Sequence, residues 1–420
     1  MSQIQTKTLK NGLRVITETV PDMHSVAVGL WVGVGTRDED MRYNGVAHMT
    51  EHMLFKGTKR RGAQEIAEVI ENVGGNMNAY TSREVTSYHI HLMKDDLPLA
   101  LDVLADMYQN SILPEQEIER ERAVIIQEIG MCNDTPDDLI FDNYYETAYP
   151  GQALGAPILG REKIISNMQR ATIADYIERF YTPARTVISA AGNLDHDDFV
   201  TRVEDLFSAM PDDTQQVPAP AVYTGGDYRV AKSLEQSHFI LGFTAPSRTD
   251  PDYYAAQALS TLLGGGMSSR LFQEVREKRG LVYSIFSFNS GYRDSGQFGI
   301  YAGTGPDKLE EVIPIICDEV LKVMENISAQ ELQRAKAQLK SGMLMGRESM
   351  MTRADQQAKY MIYRNKALNL EELVRQVDSV TSQSVAAVAA RIFSSPVTLA
   401  ALGPLEKLED YAKITARLAA

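Results

Sequence analysis

Two helical segments far apart in the chain read as copies of one another, and this repeat constrains the fold more than any other feature. The stretch "LPEQEIERERAVIIQEIGM" (113–131) aligns with "ISAQELQRAKAQLKSGMLM" (327–345), so that Gln116, Glu117 and Arg120 answer to Gln330, Glu331 and Arg334, each 214 positions on. Strand-like sequence precedes each copy, "VTSYHIHLM" and "GQFGIYAG", followed by an amphipathic helix pattern, "LPLALDVLADMYQN" and "LEEVIPIICDEVLKVM". Strands come in pairs or runs before helices rather than alternating with them, which predicts α+β layering. The expected fold is two homologous halves, each a mostly antiparallel sheet with helices packed on one face. Between them "PDDTQQVPAPAVYTGGDY" (211–228) carries three prolines, two glycines and no apolar period, the mark of a linker. The expected division is a catalytic domain over 1–212, a linker over 213–226 and a second domain over 227–420, a length that suits two ordinary domains.

The copies differ in chemistry. At the same offset Glu121 and Glu128 face Ala335 and Gly342, and the second half holds one histidine, His238, of the chain's seven. In the first half "NGVAHMTEHMLFKGT" (44–58) sets His48 and His52 around Glu51. A fold made twice does not need groups that occur once, so these are expected to serve chemistry.

A spacing of four puts His48 and His52 on one helical face, a turn apart. A hydrolytic zinc site needs three protein ligands and an open position for water. His48 and His52 would be two ligands, with Glu51 beside the water rather than on the metal. The helix expected from about Glu115 to Gly130 offers the third. Ile118, Ile125 and Ile129 form its buried stripe, and Glu121 and Glu128 lie two turns apart along the border. Carboxylates there are costly unless paired or metal-bound. Glu128 is the expected third ligand, with Glu121 behind it holding an imidazole; the competing reading makes both surface charges of a Glu/Arg-rich helix. His89 and His91 are an alternative pair, since strand residues two apart project together, but no third ligand is evident near them.

The order His48-Met49-Thr50-Glu51-His52, with Glu128 following 76 positions after His52, resembles the inverted zincin pattern of the pitrilysin and insulin-degrading-enzyme family. It is most similar to the mitochondrial processing peptidase branch. "NAYTSRE" (78–84), "LGAPILG" (154–160) and "LLGGGMSSRLFQEVREKRGLVYS" (262–284) extend the likeness over essentially the whole chain. The resemblance implies one zinc per chain on His48, His52 and Glu128, with Glu51 as general base and proton shuttle. It implies that Asn78, Ala79 and Tyr80 lie at a sheet edge where an extended peptide adds as a strand. It also implies that Arg276 and Tyr283 anchor the substrate backbone and stabilise the intermediate. Asp138 and Asp142, one turn apart, suit a basic side chain near the cleavage point, against the alternative of a solvated acidic face. "GGGMSS" (264–269) lacks the Gly-Lys-Ser/Thr of a phosphate loop and reads as a turning loop facing the substrate.

Charge narrows the partners. With 56 acidic against 42 basic residues, a net −14 argues against nucleic acid and against anionic membrane surfaces. Two cysteines, Cys132 and Cys317, make no disulfide framework. No apolar run reaches bilayer length, and "MSQIQTKTLKNGLRV" has neither the apolar core of a secretory signal nor the character of a transit peptide; a cytoplasmic location is expected. The resulting expectation is a zinc metalloendopeptidase of short or unfolded peptides. Long members of the resembling family close four such domains into a clamshell, so a chain of two is expected to form a homodimer whose partner completes each active site. The alternatives are a general oligopeptide-degrading peptidase without basic preference, and a metal-binding, non-proteolytic assembly subunit.

Overall fold

The computed structural model describes residues 2–208, 210 and 219–419, so residues 213–218 of the expected linker lie outside the described residues. Two sheets organise the chain. The first runs in the order β1 (Gln3–Thr8), β2 (Arg14–Thr19), β6 (Thr186–Gly192), β3 (Ser25–Val32), β5 (Thr86–Met93), β4 (Asn76–Thr81). The second runs β7 (Gly226–Ala231), β11 (Thr398–Gly403), β8 (Ser237–Thr244), β10 (Gly296–Thr304), β9 (Val282–Gly291). Without β1, the two orders are the same plan. Each has one parallel pair at the same place, β2 with β6 and β7 with β11, and is otherwise antiparallel. The repeat seen in the helices thus extends to strand order, and each sheet ends on a corresponding edge, β4 or β9.

The chain forms two compact units, and neither is a continuous stretch. One comprises Met1–Met131, Ala156–Pro218 and Met345–Leu368; the other comprises Cys132–Gly155, Ala219–Leu344 and Asn369–Ala420. The units therefore cut across the division at the linker. Helix α5 (Pro136–Ala148) lies in the first half of the sequence but packs on β11 and β8. Helix α8 (Met350–Arg364) lies in the second half but packs on β6 and β3.

This exchange corrects the expectation of helices on one face only. In the first unit Val26, Val28 and Leu30 face a core shared with α1 (Val46–Leu54), α2 (Ala63–Glu71) and α3 (Leu97–Asn110). Ile16, Ala27, Trp31 and Val187 point the other way, onto Met350, Ala354, Ala358 and Met361 of α8. In the second unit Phe239, Leu241 and Phe243 share a core with α6 (Tyr253–Gly264), while Ile240, Tyr301 and Ala400 meet Ile140 and Tyr144 of α5. The physical reason stands in the strands. "SVAVGLWV" is apolar at nearly every position and buried after its first residue, and a strand of that kind needs cover on both faces. One buried polar group also ties α8 down: Glu18 of β2, with no exposed side-chain surface, accepts hydrogen bonds from Arg347, Arg353 and Gln357. Among the described residues no helix is long and apolar enough to cross a membrane.

Candidate metal centre

Helix α1 carries His48, Glu51 and His52, and its N-terminus is held unusually firmly. It starts from Gly45 at φ 96°, a left-handed conformation that costs glycine little; a Cβ there would meet Ile165 Cδ1 at 2.7 Å. The buried Glu39 carboxylate accepts from the backbone N–H of Gly45 (2.9 Å) and Ala47 (2.8 Å) and from Asn44 Nδ2 (3.0 Å). It thereby satisfies donors that a helix start leaves open. Burial pushes the Glu39 carboxyl up to about 8 against the pull of those donors. Sequence reasoning missed Glu39, which lies in the unremarkable acidic run "RDED".

Helix α4 (Glu115–Asp134) supplies the facing carboxylates. His48 Nε2 lies 3.7 Å and His52 Nε2 3.8 Å from the same atom, Glu128 Oε2. Ligand atoms of the three residues all fall within 4.8 Å of one another, the one such group of three or more His, Cys, Asp or Glu among the described residues. Four tetrahedral donors at about 2.0–2.1 Å from an ion stand about 3.4 Å apart, so the cluster is close to the spacing zinc requires. The donor set also fits. Glu128 Oε2 and His48 Nδ1 are buried without a hydrogen-bond partner, and an anionic oxygen left so is costly unless a cation meets it.

Glu121, buried one side-chain layer behind, fixes the tautomer of His52. Its Oε2 accepts from His52 Nδ1 at 2.7 Å, which leaves the Nε2 lone pair directed at the cluster. Lys56 Nζ holds the other oxygen at 2.7 Å. Burial works against ionisation of Glu121, but His52 and Lys56 outweigh it and lower its pKa. Burial alone would lower the pKa of His52; the bond to Glu121 and the nearby carboxylates of Glu128 and Glu51 raise it instead. His48 has no such partner, and burial with the neighbouring His52 brings it down to about 4, a neutral imidazole suited to ligation. Burial raises Glu51, opposed by a hydrogen bond from Thr81 Oγ1 to its Oε2 and by the charge of His52. Thr81 is the one hydrogen-bond partner of Glu51 among the described residues, and Oε1 is left for a proton.

The other expected site residues fall in different places. Asn78, Ala79 and Tyr80 lie on β4, the unpaired edge of the first sheet, and α1 packs against that strand. Asn78 Oδ1 accepts from Ala79 N at 2.8 Å. His89 stacks on Trp31 and bonds Ser87, and His91 bonds Ser25, so they form no metal pair. Four residues belong to the second unit. Arg276 closes a π-helical turn, Phe272–Glu277, and lies over the rings of Phe272 (4.7 Å) and Tyr283 (5.7 Å). Tyr283 is 76% exposed on β9. Asp138 is exposed on α5, and Asp142 accepts from Cys132 Sγ at 3.8 Å. Their neighbour Asp137, which the sequence did not single out, meets His238 Nδ1 at 3.1 Å.

Residues 14–162 match the family described as Insulinase (Peptidase family M16), and residues 167–339 match the Peptidase M16 inactive domain. An uncharacterized zinc protease of Rickettsia felis is 41% identical over 94% of this chain and 96% of its own length. One of Bacillus subtilis is 36% identical over 96% and 98%. Among solved structures, a protease from Helicobacter pylori superposes with a TM-score of 0.90 at 25% identity, covering 96% of this chain and all of that one.

Proposed function

The chain belongs to peptidase family M16, and on that premise we propose that it is a zinc metalloendopeptidase acting on short or unfolded peptides. The observation that carries the reading is the convergence of His48 Nε2 and His52 Nε2 on Glu128 Oε2, with Glu51 one residue from His52. Zinc held there would polarise a scissile carbonyl and acidify water at about neutral pH. The chain's own part is the handling of the proton. Glu51, whose pKa burial raises against the hydrogen bond from Thr81, accepts a proton at Oε1 and returns it to the leaving amine. The edge of β4 receives an extended peptide through main-chain bonds, which reads backbone rather than sequence. In a homodimer, Arg276 and Tyr283 of a second copy of the chain are the donors for the developing oxyanion. In the processing-peptidase manner, Asp138 and Asp142 favour a basic residue near the cut.

One experiment tests the whole reading. The zinc-loaded protein and Glu51→Gln are incubated with a peptide library and cleavages are mapped by mass spectrometry, alongside metal analysis. Glu51→Gln should keep about one zinc per chain, because the base is not a ligand, and lose cleavage. Normal cleavage by that variant sinks the mechanism; a map without enrichment of Arg or Lys removes the role of Asp138 and Asp142 and favours a general oligopeptidase.

A further inference from the structure

Strand β4 pairs on one side only, with β5, and ends at Thr81. Strand ends and sheet edges are the parts of a sheet least held by their neighbours. Yet this is the residue that bonds Glu51. Successive strand residues point to opposite faces, and the two faces of this strand end are both tied. Thr81 turns to α1 and donates to Glu51 Oε2. Tyr80 turns the other way, and its hydroxyl donates to Asp355 Oδ1 of α8 at 2.6 Å. Trp31 Nε1 donates to the same oxygen at 3.0 Å, and Lys359 Nζ meets Asp355 Oδ2 at 2.9 Å while lying 4.9 Å over the Tyr80 ring. Asp355 thus gathers three donors from β3, β4 and its own helix, behind the sheet from the proposed metal site.

We propose that Thr81 is a positioning residue for Glu51, and that Asp355 acts through Thr81 by anchoring Tyr80 from the opposite face. This rests on the reading of Glu51 as the proton carrier. The terminal torsion of a glutamate is soft and broadly distributed, so the helix alone does not fix the plane of the Glu51 carboxylate. A hydroxyl on one oxygen does so, and it directs the other oxygen to the proton. Threonine suits the task because its branched Cβ restricts χ1. The anchor matters because the donor is only as fixed as its strand. Without Asp355, Tyr80 would keep on that face only the longer bond from Trp31 Nε1 (3.2 Å) and the Lys359 ammonium over its ring.

The test uses the full-length, zinc-loaded protein with a cleaved peptide, reading kcat, KM, zinc content and amide exchange along β4. Misplacing a catalytic group by about 1 Å costs roughly 100-fold. Thr81→Val should therefore lose kcat by roughly 10- to 100-fold, with KM changed by less than about threefold and zinc retained. Thr81→Ser restores the donor and should recover most of the rate. Asp355→Ala should speed amide exchange at Thr81 and lower kcat, but add little in the Thr81→Val background, because groups acting through one another are not additive. Should Asp355→Ala fold poorly, Tyr80→Phe removes the same tie and leaves the other partners of Asp355 in place.

Parental kcat in Thr81→Val, or a Thr81→Ser variant as slow as Thr81→Val, overturns the positioning role. Full multiplication of the Asp355 and Thr81 effects overturns the relay. Glu51→Gln measured in parallel separates the two levels. If it cleaves normally, the assignment of Glu51 has failed; if it is dead while Thr81→Val is unimpaired, only the present inference has.

Discussion

Replacing Glu121 by glutamine should weaken zinc binding without unfolding the site. The carboxylate is 5% exposed and serves two donors at once, His52 Nδ1 and Lys56 Nζ, each at 2.7 Å. Glutamine has one acceptor oxygen, and its NH2 must face one of those donors. If it keeps His52, Lys56 is left without its anion; if it keeps Lys56, the Nδ1–H tautomer of His52 is no longer fixed. In either case the imidazole loses the negative partner that makes it a stronger ligand. Removing such a partner typically costs 10- to 100-fold in metal affinity, or about 1.4–2.7 kcal/mol. The assay is a competition titration of the apo-protein against a chromophoric chelator at pH 7.5. Lys56→Met is the control, and its expected sign is opposite: deleting a cation beside the site leaves Glu121 on His52 and should hold or tighten zinc. A Glu121→Gln affinity within about twofold of the parent would refute the reasoning. So would an equal loss in Lys56→Met, which would mark general disruption rather than ligand tuning.

Two further outcomes test the proposed homodimer and the second unit. Mixing Glu51→Gln and Tyr283→Phe homodimers under subunit exchange should restore activity if Tyr283 serves the partner's metal site, since the mixed dimer then has one undamaged site; verified exchange without recovery would exclude sharing. Glu331 gives a pH test of the second unit. Burial opposes its ionisation, but Arg270 and the Ser328 cap bring its carboxyl down to about 2 from an ordinary 4.5. Its stabilisation is therefore present above about pH 4.5 and lost as pH falls toward 2. Discounted for its partial exposure, the gap between parent and Glu331→Gln in urea unfolding should be about 1–2 kcal/mol at pH 7 and shrink clearly by pH 3; a gap unchanged with pH would count against it.

The pairing of His48 and His52 around Glu51 was legible because its spacing is local, whereas Glu128 came from the family resemblance, since spacing alone left it open as a surface charge. A four-residue step on α1 and a seven-residue step on α4 fix which side chains share a face, whatever the tertiary structure does. The family was legible from the same residues, and the repeat gave the shared plan of both sheets. Glu39, Thr81 and Asp355 were not legible. Their partners come from other elements, Asp355 lies 275 residues beyond Tyr80, and no periodicity reports a hydrogen bond across that separation. The two-sided cover of the sheets was not read from the sequence. Strands such as "SVAVGLWV" and "TVISAAG" are buried at nearly every position, but the helices that cover their second face come from the opposite half of the chain, and no local pattern reports that.

That borrowed layer bears on whether either half of the sequence can fold alone. A fragment ending at residue 212 would carry α5 with no sheet to cover, and would leave Ile16, Ala27, Trp31 and Val187 bare for want of α8. Such a fragment should aggregate alone and fold when made together with the remainder; a soluble, well-folded lone fragment would contradict this. The two halves of the sequence are therefore not finished domains in series, since each carries a helix that closes the sheet of the other.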